Sequence, residues 1–88
     1  ALVGFTRGLA HALAGDRISV NCAVPGAIDT SRAAAAPSPA RHLTHGTITG
    51  ERGTSEDVAA LVHFLCTPAA HFITGQAIHA NGGAYLGS

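Results

Sequence analysis

The spacing of apolar positions divides the chain into four regular stretches and one long irregular one. Leu2, Phe5, Leu9 and Leu13 fall three and four residues apart, the repeat that lines one side of an α-helix. A helix is therefore predicted over residues 1–14 with these four as its buried stripe, and Gly15 is placed to end it as a C-terminal cap. Gly4, Gly8 and Ala12 form a second strip of small residues on another side, which predicts a helix covered on two sides. Each interior glycine costs roughly 0.5–1 kcal/mol relative to alanine, so neighbours within the chain or outside it must compensate. Residues 18–24, Ile-Ser-Val-Asn-Cys-Ala-Val, are β-branched and apolar, which predicts a strand buried on both faces and stopped by Pro25-Gly26.

From residue 29 to 53 the periodicity is lost. Pro37, Pro39, Gly46 and Gly50 interrupt this stretch, and the four alanines at 33–36 fit at most a short helix ended before Pro37. A connection this long is uncommon inside a compact domain and is usually functional or mobile. Thr54-Ser55-Glu56-Asp57 then opens a second helix, with a hydroxyl for the N-cap and acids at the positive end of the helix dipole. Val58, Leu61, Val62 and Leu65 supply its buried stripe, and Thr67-Pro68 closes it. After a short turn at 69–72, residues 76–80 alternate as a strand that stops at Asn81-Gly82-Gly83. Helix, strand, long connection, helix and strand make an α/β pattern, with the two strands parallel and their crossover right-handed. A single domain over residues 1–88 is expected.

Composition narrows the possibilities. Eighty-eight residues, 47% hydrophobic and 11% charged with zero formal net charge, support one modest core. Folding at this size buries only about 60–70% of the unfolded surface, so the chain is marginal as a domain on its own. Five arginines against five acidic residues leave no basic footprint, and neither nucleic acid nor a membrane surface is an expected partner. The apolar runs are too short for a spanning helix, and the start lacks a basic segment ahead of an apolar one. Cys22 and Cys66 make neither a CxxC pair nor a disulfide framework and are expected to be small buried hydrophobes. A reducing, cytoplasmic compartment is the expectation.

The same inventory limits the chemistry. The sequence contains no lysine, and its one tyrosine is Tyr85, so any mechanism that needs a lysine is incomplete here and no catalytic residue is assigned. The glycine-rich run from Gly46 to Gly53 does not follow a strand, and its spacing fits neither a dinucleotide fingerprint nor a P-loop. It reads as a loop. His42 and His45 have helical i, i+3 spacing, but no further ligand completes a tetrahedral set; His11, His63 and His79 belong to different elements, and no metal site is expected. A serine nucleophile lacks its strand–Gly-x-Ser-x-Gly–helix setting.

The turn from Val24 to Thr30 is more informative, because it lies at the C-terminal end of a strand in an open α/β sheet, where such folds bind ligands. Gly26 lets the backbone approach a ligand, Ile28 offers peptide N–H and C=O beside an apolar wall, and Thr30 offers a hydroxyl. A flat amide-bearing ring suits that set; an ordinary strand-ending turn is the alternative.

Four stretches together resemble the short-chain dehydrogenase/reductases, most closely the 3-oxoacyl-(acyl-carrier-protein) reductase type. They are residues 1–10 (ALVGFTRGLA), 18–30 (ISVNCAVPGAIDT), 52–58 (RGTSEDV) with Phe64-Leu65, and 73–83 (ITGQAIHANGG). The resemblance covers nearly the whole chain except 31–50. It implies the C-terminal part of a Rossmann-type doubly wound parallel sheet, from a carbonyl/alcohol oxidoreductase using NAD or NADP. The family's catalytic Ser, its Tyr-x-x-x-Lys motif and its nucleotide loop would lie upstream of Ala1. By the same resemblance Pro25 and Gly26 pass beside the nicotinamide, while Ile28 through its backbone and Thr30 through its hydroxyl hold the carboxamide. Residues 31–50 correspond to a variable substrate loop, the substrate is a small carbonyl or alcohol, and the first helix belongs to a subunit-pairing bundle of a homo-oligomer, a dimer or tetramer. Asn81 stands where many relatives carry Asp. The competing reading is a short non-catalytic remnant acting as an oligomerisation module.

Overall fold

The computed structural model describes residues 1–29 and 46–86, so Thr30 and the alanine run at 33–36 lie outside the described residues. The chain is α/β. It begins with helix α1 (Leu2–Leu13) and a 3-10 turn (Ala14–Asp16), followed by strands β1 (Cys22–Pro25) and β2 (Ile28–Asp29). Strand β3 (Gly53–Thr54) leads into helix α2 (Ser55–Leu65), and after a 3-10 turn (Pro68–Ala70) the last strand is β4 (Ala77–Ala80). β1 and β4 pair in parallel, Cys22 with Ala77 through Pro25 with Ala80, as the crossover pattern requires. β2 and β3 form a separate two-residue parallel pair.

α1 buries a different side from the one predicted. Thr6 and Ala10 are 4% and 6% exposed, whereas Leu2 and Phe5 of the predicted stripe are 64% and 65% exposed. Leu9 and Leu13 are half-buried. Small residues sit where the helix comes close to its neighbour; Ala10 lies against Gly75, just ahead of β4. Thr6 tolerates burial because its hydroxyl donates to the Leu2 carbonyl at 2.8 Å. The Gly4 and Gly8 positions face open space, so the second cover expected for that strip is not supplied by the described residues.

Two boundaries also move. Gly15 falls inside the 3-10 turn, and the residue that turns left-handed is Arg17, at φ 60°. The first strand starts at Cys22 rather than Ile18. Ahead of it, one backbone bond remains, from the Gly75 N–H to the Val20 carbonyl (2.7 Å), and side chains make the rest of the pairing: Asn21 donates from Nδ2 to the Ile73 carbonyl (3.0 Å) and accepts from the Gln76 N–H (3.2 Å), and the Val20 N–H donates to the Thr74 hydroxyl (3.0 Å). These bonds compete with a regular ladder, which begins only where the amide bracket ends. β1 is also not buried on both faces, since burial falls from Cys22 to an exposed Pro25.

α2 starts as its sequence predicts. The Thr54 hydroxyl accepts from the Asp57 N–H (3.2 Å) and the Asp57 carboxylate accepts from the Thr54 N–H (2.8 Å), a reciprocal capping box. Val58, Leu61 and Leu65 are half-buried, but Val62 is exposed. Cys22 is buried as expected, and Cys66 is exposed at the helix end. Among the described residues, the buried apolar side chains are Ala10, Cys22 and Ala70, and none is a large one.

Candidate functional site

The turn after β1 is braced on two sides. On one side it leans on the end of β4: the Gly26 N–H donates to the Ala80 carbonyl at 3.0 Å. A Cβ on Gly26 would stand 2.7 Å from Asn81 Cβ and 2.9 Å from Asn81 Cα, so only glycine lets the two backbones pass this closely. Asn81 is itself held, accepting from the Gly83 N–H (2.9 Å) and donating to the Tyr85 carbonyl (3.1 Å). Its neighbour Gly82, at φ 60°, offers a carbonyl that accepts from the N–H groups of Ile48 (2.9 Å) and Thr49 (3.3 Å). The glycine-rich run beginning at Gly46 is thus a loop seated on the turn after β4.

On the other side the turn meets residues 52–54. The Gly53 N–H donates to the Ala27 carbonyl at 3.0 Å, Ile28 pairs with Gly53, and Arg52 reaches the Ile28 carbonyl with Nη2 at 3.4 Å. Nothing in the hydrophobic pattern pointed to these contacts, because a two-residue strand is too short to show a period. Arg52-Gly53 was visible only as part of a family-like stretch.

The structure brings some of the sequence-predicted residues together and separates others. Pro25 and Gly26 open on a groove of about 440 Å³, with Val3, Arg7, His79 and Tyr85 among its walls. The His79 and Tyr85 rings lie 5.0 Å apart, tilted by 41°. Ile28 is turned toward Gly53 and Arg52 instead, and Thr30 lies outside the described residues. A second groove, of about 380 Å³, lies between Arg52, Asp57 and the turn at Asn81 to Gly83. Among the described residues, no three His, Cys, Asp or Glu side chains gather in a way that could hold a metal ion. No helix among them is long and apolar enough to cross a membrane.

A parallel β-α-β frame with its loops gathered at the strand ends is the architecture of a dinucleotide-type sheet, and comparison with known proteins gives it a family. The sequence profile described as enoyl-(acyl carrier protein) reductase matches residues 1–85, and the chain belongs to the short-chain dehydrogenase/reductase family. It is 40% identical over 85 residues to the 3-oxoacyl-(acyl-carrier-protein) reductase FabG of Aquifex aeolicus, covering 96% of this chain and 34% of that protein. It is 38% identical over 86 residues to FabG of Pseudomonas aeruginosa, covering 97% and 35%. Among solved structures, a blue fluorescent protein from a metagenomic library, in complex with NADPH, superposes with a TM-score of 0.88 at 33% identity, covering 97% of this chain and 34% of that one. A Serratia marcescens short-chain dehydrogenase/reductase gives 0.86 at 36%, covering 94% and 34%. The chain spans about a third of the length of the relatives it matches. The fold is accordingly part of a Rossmann-type sheet.

Proposed function

We propose that the chain is the C-terminal part of a single-domain NAD(P)(H)-dependent carbonyl/alcohol oxidoreductase and contributes its nicotinamide-side turn. The observation that carries this reading is the turn at Pro25 to Asp29, which is fixed at the C-terminal end of a parallel strand by Asn81 on one side and Arg52 to Thr54 on the other. The apolar surface of Val24 and Pro25 beside Gly26, at the edge of the groove of about 440 Å³, suits one face of a flat ring whose amide reaches past the groove to Ile28. A relative solved with NADPH supports the cofactor class.

In this reading the nicotinamide, when bound, exchanges hydride with the carbonyl carbon of a small substrate. The residues of this chain bind and orient. Pro25 and Gly26 set the ring wall, the Ile28 peptide holds the carboxamide, and Thr30 adds a hydroxyl bond. Their contribution is the selection of one ring face, a positioning effect. The catalytic Ser, Tyr and Lys come from sequence outside these 88 residues. The whole protein is a cytoplasmic homo-oligomer, and exposure of Leu2 and Phe5 on α1 favours a helix-pairing contact.

The test is expression of the complete reading frame that encodes residues 1–88, followed by titration with NADPH and NADH and assay against small ketones. Saturable binding of one cofactor and ketone-dependent oxidation are expected, with neither from the 88 residues alone. A folded product that binds neither cofactor rejects the reading in favour of a non-catalytic oligomerisation module.

A further inference from the structure

We infer that Arg52 is a positioning residue for the cofactor-side turn, fixing the Ile28 peptide and thereby the affinity for the nicotinamide half of the cofactor. The inference rests on the reading of that turn proposed above. Its physical basis is that residues 52 and 53 fix the peptide planes on either side of the Ile28 Cα. The Ala27–Ile28 peptide is held at its carbonyl by the Gly53 N–H, at 3.0 Å. The Ile28–Asp29 peptide is held at its carbonyl by Arg52 Nη2, at 3.4 Å. With both planes fixed, the φ and ψ of Ile28 have little freedom left. A bonded carbonyl also polarises the N–H of its own peptide, so the Gly53 bond makes the Ile28 N–H a better donor.

At 3.4 Å the Arg52 bond is long for any N–H to O pair, so the contact is held by the attraction of a cation for the carbonyl dipole more than by tight geometry. The guanidinium is part-buried, with its Nε out of contact with solvent. The arginine is also planted on a rigid base. Gly53 lies over Ile28, where a Cβ on it would stand 2.7 Å from Ile28 Cδ1, and Thr54 is locked into the capping box with Asp57. Arg52 therefore reaches the turn from a fixed helix start rather than from a free loop.

The experiment uses the protein from the complete reading frame, as wild type, Arg52→Gln and Arg52→Lys. Each is titrated with NADPH or NADH, whichever the wild type binds, and separately with the matching ADP-ribose, which lacks the nicotinamide. Arg52→Gln is expected to weaken the dinucleotide about tenfold and leave ADP-ribose unchanged. Arg52→Lys keeps the charge without the fork and is expected to lose about threefold, with the same selectivity; it carries the test if the glutamine variant does not fold. Equal weakening of both ligands, or of neither, overturns the inference while the reading of the turn stands. A wild type that binds ADP-ribose but not the dinucleotide more tightly overturns that reading and the inference with it.

Discussion

One absent methyl group sets the geometry at Gly26. Its missing Cβ would meet not the pliable end of a side chain but the Cα and Cβ of Asn81, which belong to a turn pinned by its own hydrogen bonds. Gly26→Ala therefore forces a backbone shift and is expected to cost about 1–3 kcal/mol. Urea unfolding of the full-reading-frame protein reads the loss, and a midpoint unchanged from wild type would mean that the two backbones are not in contact. Gly4 differs at the same scale, because among the described residues nothing stands within 4 Å of the position its Cβ would take. The sequence announced Pro25-Gly26 as a turn where a ligand could approach. It did not announce Asn81 as the other side of the contact, because the two meet through strand pairing over more than fifty residues, and local pattern carries no such range.

At the scale of elements, α2 was legible because its start is written in adjacent residues. The exchange between Thr54 and Asp57 satisfies two N–H groups that helix geometry leaves without intrahelical partners. Thr54→Ala is expected to lower stability by about 1 kcal/mol, and Thr54→Ser to retain most of it. Amide hydrogen exchange over the first turn of α2 locates the effect; a loss spread evenly over the protein would contradict a local cap. The same cap holds β3 in place against Ile28, so the alanine variant should also raise the dissociation constant for the cofactor slightly. The strand predicted from Ile18 was too long for a definite reason. β-branched residues describe a suitable surface, but the side chain of Asn21 takes the bonds that a ladder would have used. The pair β2–β3 was illegible because two residues hold no period, yet it supplies one of the two braces on the site.

For the whole molecule, the distribution of apolar surface is the informative quantity. A chain that is 47% hydrophobic buries Ala10, Cys22 and Ala70 among its described residues, while Leu2, Phe5, Phe64 and Phe72 remain substantially exposed. Small side chains at the centre and large ones outside invert the usual arrangement, and the sequence periodicity of α1 misled for the same reason: it marks where large residues line up, not which partner they meet. Leu2 and Phe5 thus form an apolar face that the described residues leave uncovered. If that face joins subunits, Phe5→Glu places a charge where an apolar contact forms, at a side chain that is 65% exposed among the described residues. The expected outcome in the full-reading-frame protein is a smaller assembly by light scattering, with unchanged helical content. An unchanged mass, with the variant folded, would remove α1 from the assembly interface and assign its apolar face to packing within one subunit. A fall in helical content with mass preserved would lead to the same assignment, because the charge would then be disturbing the fold rather than the contact between copies.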